Sequence, residues 1–155
     1  MGNTVESHVT AMLIGEYQHT IDPKGRVIVP SKFREDLGEL FYVTKGLDGC
    51  LFVLSPVEWD KLQEKVMAMP INMIREGKVH QLDNVIFSGA AEVEPDKQGR
   101  ILLPQHLREY AGLTKDVAFV GASRRAELWD AARWRAFNAE LTEDKIAEAM
   151  DELEL

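Results

Sequence analysis

The chain holds one cysteine, Cys50, among 155 residues. That excludes an intrachain disulfide framework and fits a reducing compartment. Histidine is almost as scarce: His8, His19, His80 and His106 show no metal-ligand spacing. There is no nucleotide-cradling glycine loop and no G-x-S-x-G elbow, and no carboxylate pair stands out, so the expectation is a non-enzymatic protein without cofactor or metal. No apolar run approaches the roughly 18 residues needed to span a bilayer. The opening MGNTVESHVT has neither the basic nor the apolar segment of a signal peptide, so a cytoplasmic protein is expected. Positive charge is short as well, with 18 Lys and Arg against 26 Asp and Glu, a net charge of −8. Taken alone, that balance argues against a nucleic-acid partner.

What the sequence does have is a phrase written twice. DPKGRVIVP runs from Asp22 to Pro30 and DKQGRILLP from Asp96 to Pro104. Asp22 and Asp96, Gly25 and Gly99, Arg26 and Arg100, and Pro30 and Pro104 are each 74 positions apart. The same offset joins Gly15 to Gly89, Arg34 to Arg108 and Gly38 to Gly112. One inserted residue then gives 75, joining Gly46 to Gly121, Trp59 to Trp134 and Leu62 to Phe137. A register kept this far marks a tandem duplication of a small module, with a period longer than common solenoid repeats.

Each copy reads as strand, turn, short strand, short helix, then two more strands and a helix. In the first, Gly15–Ile21 is a strand leading into D-P-K-G, whose residues suit a type I turn closed as a three-residue hairpin with a left-handed glycine. The second keeps Asp96 and Gly99 and moves its proline to Pro95. The segments VIV and ILL are short apolar strands. Pro30 and Pro104 then stand where helices SKFREDL and QHLREYA begin, and Gly38 and Gly112 where they end. LFYVT and CLFVL, then DVAFVG and AELW, are further strands. Ser55 and Glu58 have capping-box spacing with Pro56 between them, predicting a helix that lines up Trp59, Leu62, Val66 and Met69 and stops at Pro70. Trp134, Phe137 and Leu141 repeat that face. Asn72–Phe87 reads as a helical connection and Glu140–Leu155 as an acidic helix. The organisation expected is an extension at 1–11, modules at 12–59 and 87–133, a helical connection at 60–86, and a terminal helix and tail at 134–155. A module of about 50 residues has a marginal core, so two halves sharing one α+β sheet system are expected.

Two readings of the repeated turn stand side by side. In one, Arg26 and Arg100 pair with Asp22 and Asp96 across the reversal and the turn is structural. In the other, paired arginines at loop tips face a ligand. Charge bears on the choice. Lys24, Arg26, Lys32 and Arg34 against Asp22 leave a local +3; Lys97, Arg100 and Arg108 against Asp96 leave +2. The last sixteen residues carry seven acids and one lysine, so much of the acidity lies far from the turns along the chain. An acidic protein can still present a basic face. A rival use of the chain is a protein-interaction module in which Ile146, Met150 and Leu153 of the acidic helix dock on a partner.

The segments GEYQHTIDPKGRVIVPSKFRE at Gly15–Glu35 and GCLFVLSPVEW at Gly49–Trp59 resemble the MraZ family of bacterial regulators, which is related to the AbrB-like regulators. The twofold D-x-x-x-R signature of that family is matched by Asp22 with Arg26 and by Asp96 with Arg100. The likeness covers Met12 to about Leu141. It implies an AbrB-like double-split β-barrel with a pseudo-two-fold axis, and rings of about eight or more subunits. It also implies binding to short direct repeats of double-stranded DNA ahead of the division and cell-wall gene cluster, with repression of that cluster and of the protein's own gene. The place implied is the nucleoid within the cytoplasm. By position, Arg26 and Arg100 match the DNA-contacting arginines, with Lys24, Gly25, Lys97, Gln98 and Gly99 beside them and Asp22 and Asp96 orienting the turns. Gln98 departs from the first turn, which has Lys24 there. Relatives commonly begin near Met12.

Overall fold

A computed structural model describes residues 12–68 and 84–155. The first repeat supplies β1 (Glu16–Thr20), β2 (Arg26–Ile28), α1 (Ser31–Leu37), β3 (Phe41–Lys45), β4 (Leu51–Leu54) and α2 (Pro56–Met67). The second supplies β5 (Ala91–Val93), β6 (Arg100–Leu102), α3 (Gln105–Ala111), β7 (Asp116–Gly121), β8 (Ala126–Asp130) and α4 (Ala131–Ala139). A π-helical turn at Asn84–Ser88 precedes β5, and α5 (Glu143–Glu152) closes the chain. Apart from that turn, the expected connection at Asn72–Phe87 lies largely outside the described residues.

The two copies are interleaved. Six strands form one antiparallel sheet in the order β1-β7-β8-β4-β3-β5, and β2 pairs with β6 in a separate ribbon. The outer strands β1 and β5 pair with β7 and β3 respectively and not with each other, so these pairings do not close a barrel. A pseudo-two-fold axis passes through β2·β6, where Val27 faces its own counterpart Ile101. It passes again through β4·β8, where Phe52 faces Glu127, 75 positions on. This answers the problem of the marginal half-core. Val27, Phe33, Leu37, Phe41 and Val43 from one copy merge with Ile101, Leu107, Val117 and Phe119 from the other into one buried cluster. Phe33 sits edge-on to Tyr17 of its own repeat at 5.2 Å and to Phe119 of the other at 6.4 Å.

The strand register corrects one part of the expected alignment. Phe41 lies opposite Val93 and Val117 opposite His19, which puts β7 76 positions after β3. Gly121 thus takes the place of Lys45, not of Gly46: Lys45 faces Leu51 as Gly121 faces Ala126. Two extra residues precede β7 and one fewer joins β7 to β8, so the offset returns to 75 by β8.

The capped helix is found as expected, with the Glu58 amide donating to Ser55 Oγ at 3.3 Å and Pro56 in its first turn. Of its apolar face, Val66 is buried, while Trp59 is half-buried, stacked on Tyr42 at 4.7 Å and edge-on to Phe87 at 5.4 Å. Met69 lies outside the described residues. Trp134 and Phe137 pack on the buried Trp129 at 5.3 and 4.9 Å, but α4 stops at Ala139 and Leu141 is exposed beyond it. The tryptophans therefore build side clusters rather than the central core. Cys50 is buried, and burial pushes its thiol up to about 12, so it is protonated and unreactive at neutral pH.

Candidate nucleic-acid interface

The repeated phrase folds alike in both copies. Gly25 donates its amide to the Asp22 carbonyl at 2.9 Å, and the Asp22 amide donates to the Arg26 carbonyl at 2.9 Å. Gly99, Asp96 and Arg100 make the same two bonds. Gly25 and Gly99 have φ of +87° and +81°, the left-handed backbone that only glycine takes without strain. This is the expected three-residue reversal, yet it is not the tip of a hairpin. Past the Asp22–Arg26 pair the strands part, β1 toward β7 and β2 toward β6. Each turn is a corner between the large sheet and the ribbon.

One carboxylate organises each corner. Asp22 Oδ1 accepts from the amides of Lys24 and Arg26, both at 2.9 Å, while Oδ2 accepts from Arg26 Nε at 2.7 Å. Asp96 does the same for Gln98 and Arg100, with Oδ2 2.8 Å from Arg100 Nε. The hydrogen bond from the arginine's own backbone amide leads in holding both carboxyls below the usual carboxylate value, with the guanidinium adding to it. A depressed carboxylate pKa means the contribution is fully present above the unfolded value of about 3.9 and fades only as pH falls through the lowered one. The corner is therefore set throughout the neutral range. The structural reading of the arginine is met at Nε, which is tied to Asp, while the terminal amino groups meet no acceptor among the described residues.

The corners also clamp each other. Val29 donates its amide to the Gly99 carbonyl at 2.9 Å and Leu103 donates to the Gly25 carbonyl at 3.0 Å, extending the β2·β6 ladder. Arg34 Nε donates to Val29 O at 3.1 Å and lays its guanidinium on Gly99; Arg108 Nε donates to Leu103 O at 3.0 Å and lays its own on Gly25. A Cβ added at Gly25 would stand 2.9 Å from Arg108 Cζ, and one at Gly99 2.8 Å from Arg34 Cζ. Gly25→Ala is expected to cost about 1–2 kcal/mol for the left-handed backbone alone. A urea titration checks this, with Arg108→Ala alone and combined with Gly25→Ala as the comparison that isolates the displaced arginine.

Of the residues expected at the site, Lys24, Lys97 and Gln98 are exposed at the corners, and Arg26 and Arg100 are half-exposed. Gly25 and Gly99 are buried with both backbone groups engaged, so they shape the corner and present nothing outward. Lys32 is exposed on α1. Arg34 and Arg108 were not expected at the site as a pair. Their shared offset of 74 was the available signal, but the crossing of each to the opposite corner needs the interleaved fold.

These features define a class: a tandem-duplicated α+β protein whose halves interleave and bring two carboxylate-set arginine corners onto one ribbon. The family described as "MraZ protein, putative antitoxin-like" matches at residues 12–80 and again at 86–154. The chain belongs to the MraZ family. It is similar to proteins named transcriptional regulator MraZ, among them that of Acetivibrio thermocellus, 52% identical over 141 residues covering 90% of this chain and 96% of the relative. That of Heliobacterium modesticaldum is 49% identical over 146 residues, 93% of this chain and 100% of the relative. That of Caldicellulosiruptor bescii is 50% identical over 144 residues, 92% and 99% respectively. Among the described residues, no helix is long and apolar enough to cross a membrane.

Proposed function

We propose that this protein is a sequence-specific DNA-binding transcriptional regulator that represses the division and cell-wall gene cluster together with its own gene. The observation that carries this reading is the pair of corners: Arg26 and Arg100, each held at Nε by an aspartate, stand on one face of the β2·β6 ribbon with their terminal amino groups turned to no other described acceptor. A fixed planar fork of that kind suits a bidentate contact to guanine O6 and N7 in the major groove. Lys24, Lys97 and Gln98 take phosphates or a neighbouring base edge, while Asp22 and Asp96 orient the arginines. In this reading the protein works on the nucleoid in the cytoplasm.

One subunit makes few phosphate contacts, and the chain as a whole is acidic. A ring of eight or more subunits on direct repeats offsets both, since linked sites raise apparent affinity by about 10²–10⁴. The test is fluorescence anisotropy on DNA taken from upstream of the protein's own gene across a salt series. Binding is expected to weaken steeply with salt, by about 0.9 in log–log slope for each phosphate contacted. Lys24→Ala and Lys97→Ala should each lower that slope by about 1 and weaken all sequences alike. A flat salt response in the wild type would move the protein-partner reading to the front. That reading is favoured by α5, which has no buried residue and leaves Ile146 and Met150 exposed, with Leu153 exposed at its C-cap.

A further inference from the structure

The outer face of the ribbon carries more than its arginines. Along β2 and β6, Val27 and Ile101 are buried, so Arg26, Ile28, Arg100 and Leu102 point the other way. Directly opposed residues share a face, and Arg26 faces Leu102 as Arg100 faces Ile28. The four side chains make a quartet in which each cation has an aliphatic neighbour across the ribbon. Ile28 is 42% exposed and Leu102 is 61% exposed. A lone exposed leucine is ordinary. Two large aliphatics at equivalent positions of both repeats, each across the ribbon from one of the two arginines and with exposed Lys24 and Lys97 in the adjoining corners, call for a partner that is anionic overall and apolar at chosen points.

The major groove has that chemistry, because its floor displays one apolar group, the C5 methyl of thymine. Strands about 4.8 Å apart fit a groove about 12 Å wide. Arg26 and Ile28 are two residues apart, or about 6.8 Å, which spans about two base-pair steps. We propose that Ile28 and Leu102 are specificity-determining residues that pack on thymine methyls, each within about two base pairs of a guanine taken by Arg26 or Arg100. This rests on the DNA-reading function proposed above and adds the second half of the sequence it reads.

The test uses the full chain and a duplex that the wild type selects from a randomised pool. Each thymine of that duplex is replaced in turn by deoxyuridine, which removes the methyl and leaves every hydrogen-bonding group. The wild type should lose about four-fold in affinity at each of two positions. Leu102→Ala should become indifferent at one of them and Ile28→Ala at the other, with the salt slope unchanged. Leu102→Met, which keeps an apolar contact, should retain the sensitivity. Circular dichroism and light scattering accompany each variant. If uracil is neutral everywhere for the wild type, or costs the alanine variants as much, the methyl reading is overturned. DNA reading still stands in that case, provided Arg26→Ala weakens the same duplex. A change of oligomer size in Leu102→Ala with uracil sensitivity intact would assign these side chains to a subunit contact instead. If no duplex is selected at all, both readings fall.

Discussion

Replacing Arg26 and Arg100 together by alanine is expected to erase the preference for one DNA sequence while leaving the fold in place. Each bidentate arginine–guanine contact discriminates by about 1–3 kcal/mol, so losing two removes about 30-fold to about 2 × 10⁴-fold of preference. The fold survives because neither side chain belongs to the core. Each corner is closed by backbone bonds and by Asp Oδ1 on two amides, none of which needs the guanidinium. Arg26→Lys with Arg100→Lys makes the sharper comparison. It keeps the charge and so most of the salt dependence, but loses the planar fork and with it the preference. Competition between preferred and scrambled duplexes, with unfolding curves for each variant, provides the measurement. A double alanine variant that still prefers its sequence would leave the arginines as turn-holders only.

Residues 12–68 expressed without the second half are expected to give no stable monomer. Of the first repeat's strands, β1 loses β7, β2 loses β6 and β4 loses β8, and β3 loses β5 from one edge. What remains paired is the β3–β4 hairpin, and a lone two-stranded hairpin is marginal in water. Far-ultraviolet circular dichroism of residues 12–68 and 84–155 should show each largely unfolded at low micromolar concentration, with native signal returning on mixing. Any structure in one half alone should depend on concentration, because Val27 could then pair with the Val27 of a second copy as it does with Ile101. A monomeric half that unfolds cooperatively at any concentration would refute the shared-core account.

The duplication, the two reversals and the short helices were legible in the sequence because each is a local matter. A left-handed position asks for Gly25 and Gly99, a cap for Ser55, and a helix end for Gly38 and Gly112. Partnership was not legible. D-x-x-G-R describes a reversal equally well whether its strands pair with each other or part, and only the apolar faces of both repeats together decide for parting. The same limit hid Arg34 and Arg108, whose helical context predicts a solvated face until the opposite corner is brought beneath them. Gly46 and Gly121 misled for a simpler reason. Matching glycines suggest matching positions, whereas the strand register follows the buried residues Phe41 and Val43 against Val117 and Phe119.

Val27 facing Ile101 has one more consequence. Two identical chains meeting on such an axis would carry identical heads and be bound to palindromes. Here both heads belong to one polypeptide, and they have drifted apart: Lys24 stands at one corner where Gln98 stands at the other. Under the function proposed above, a reader with unlike heads has a front and a back. It would tell a sequence from its reverse complement, so copies of it would lie along a duplex all pointing one way, as head-to-tail repeats require and a palindrome never does.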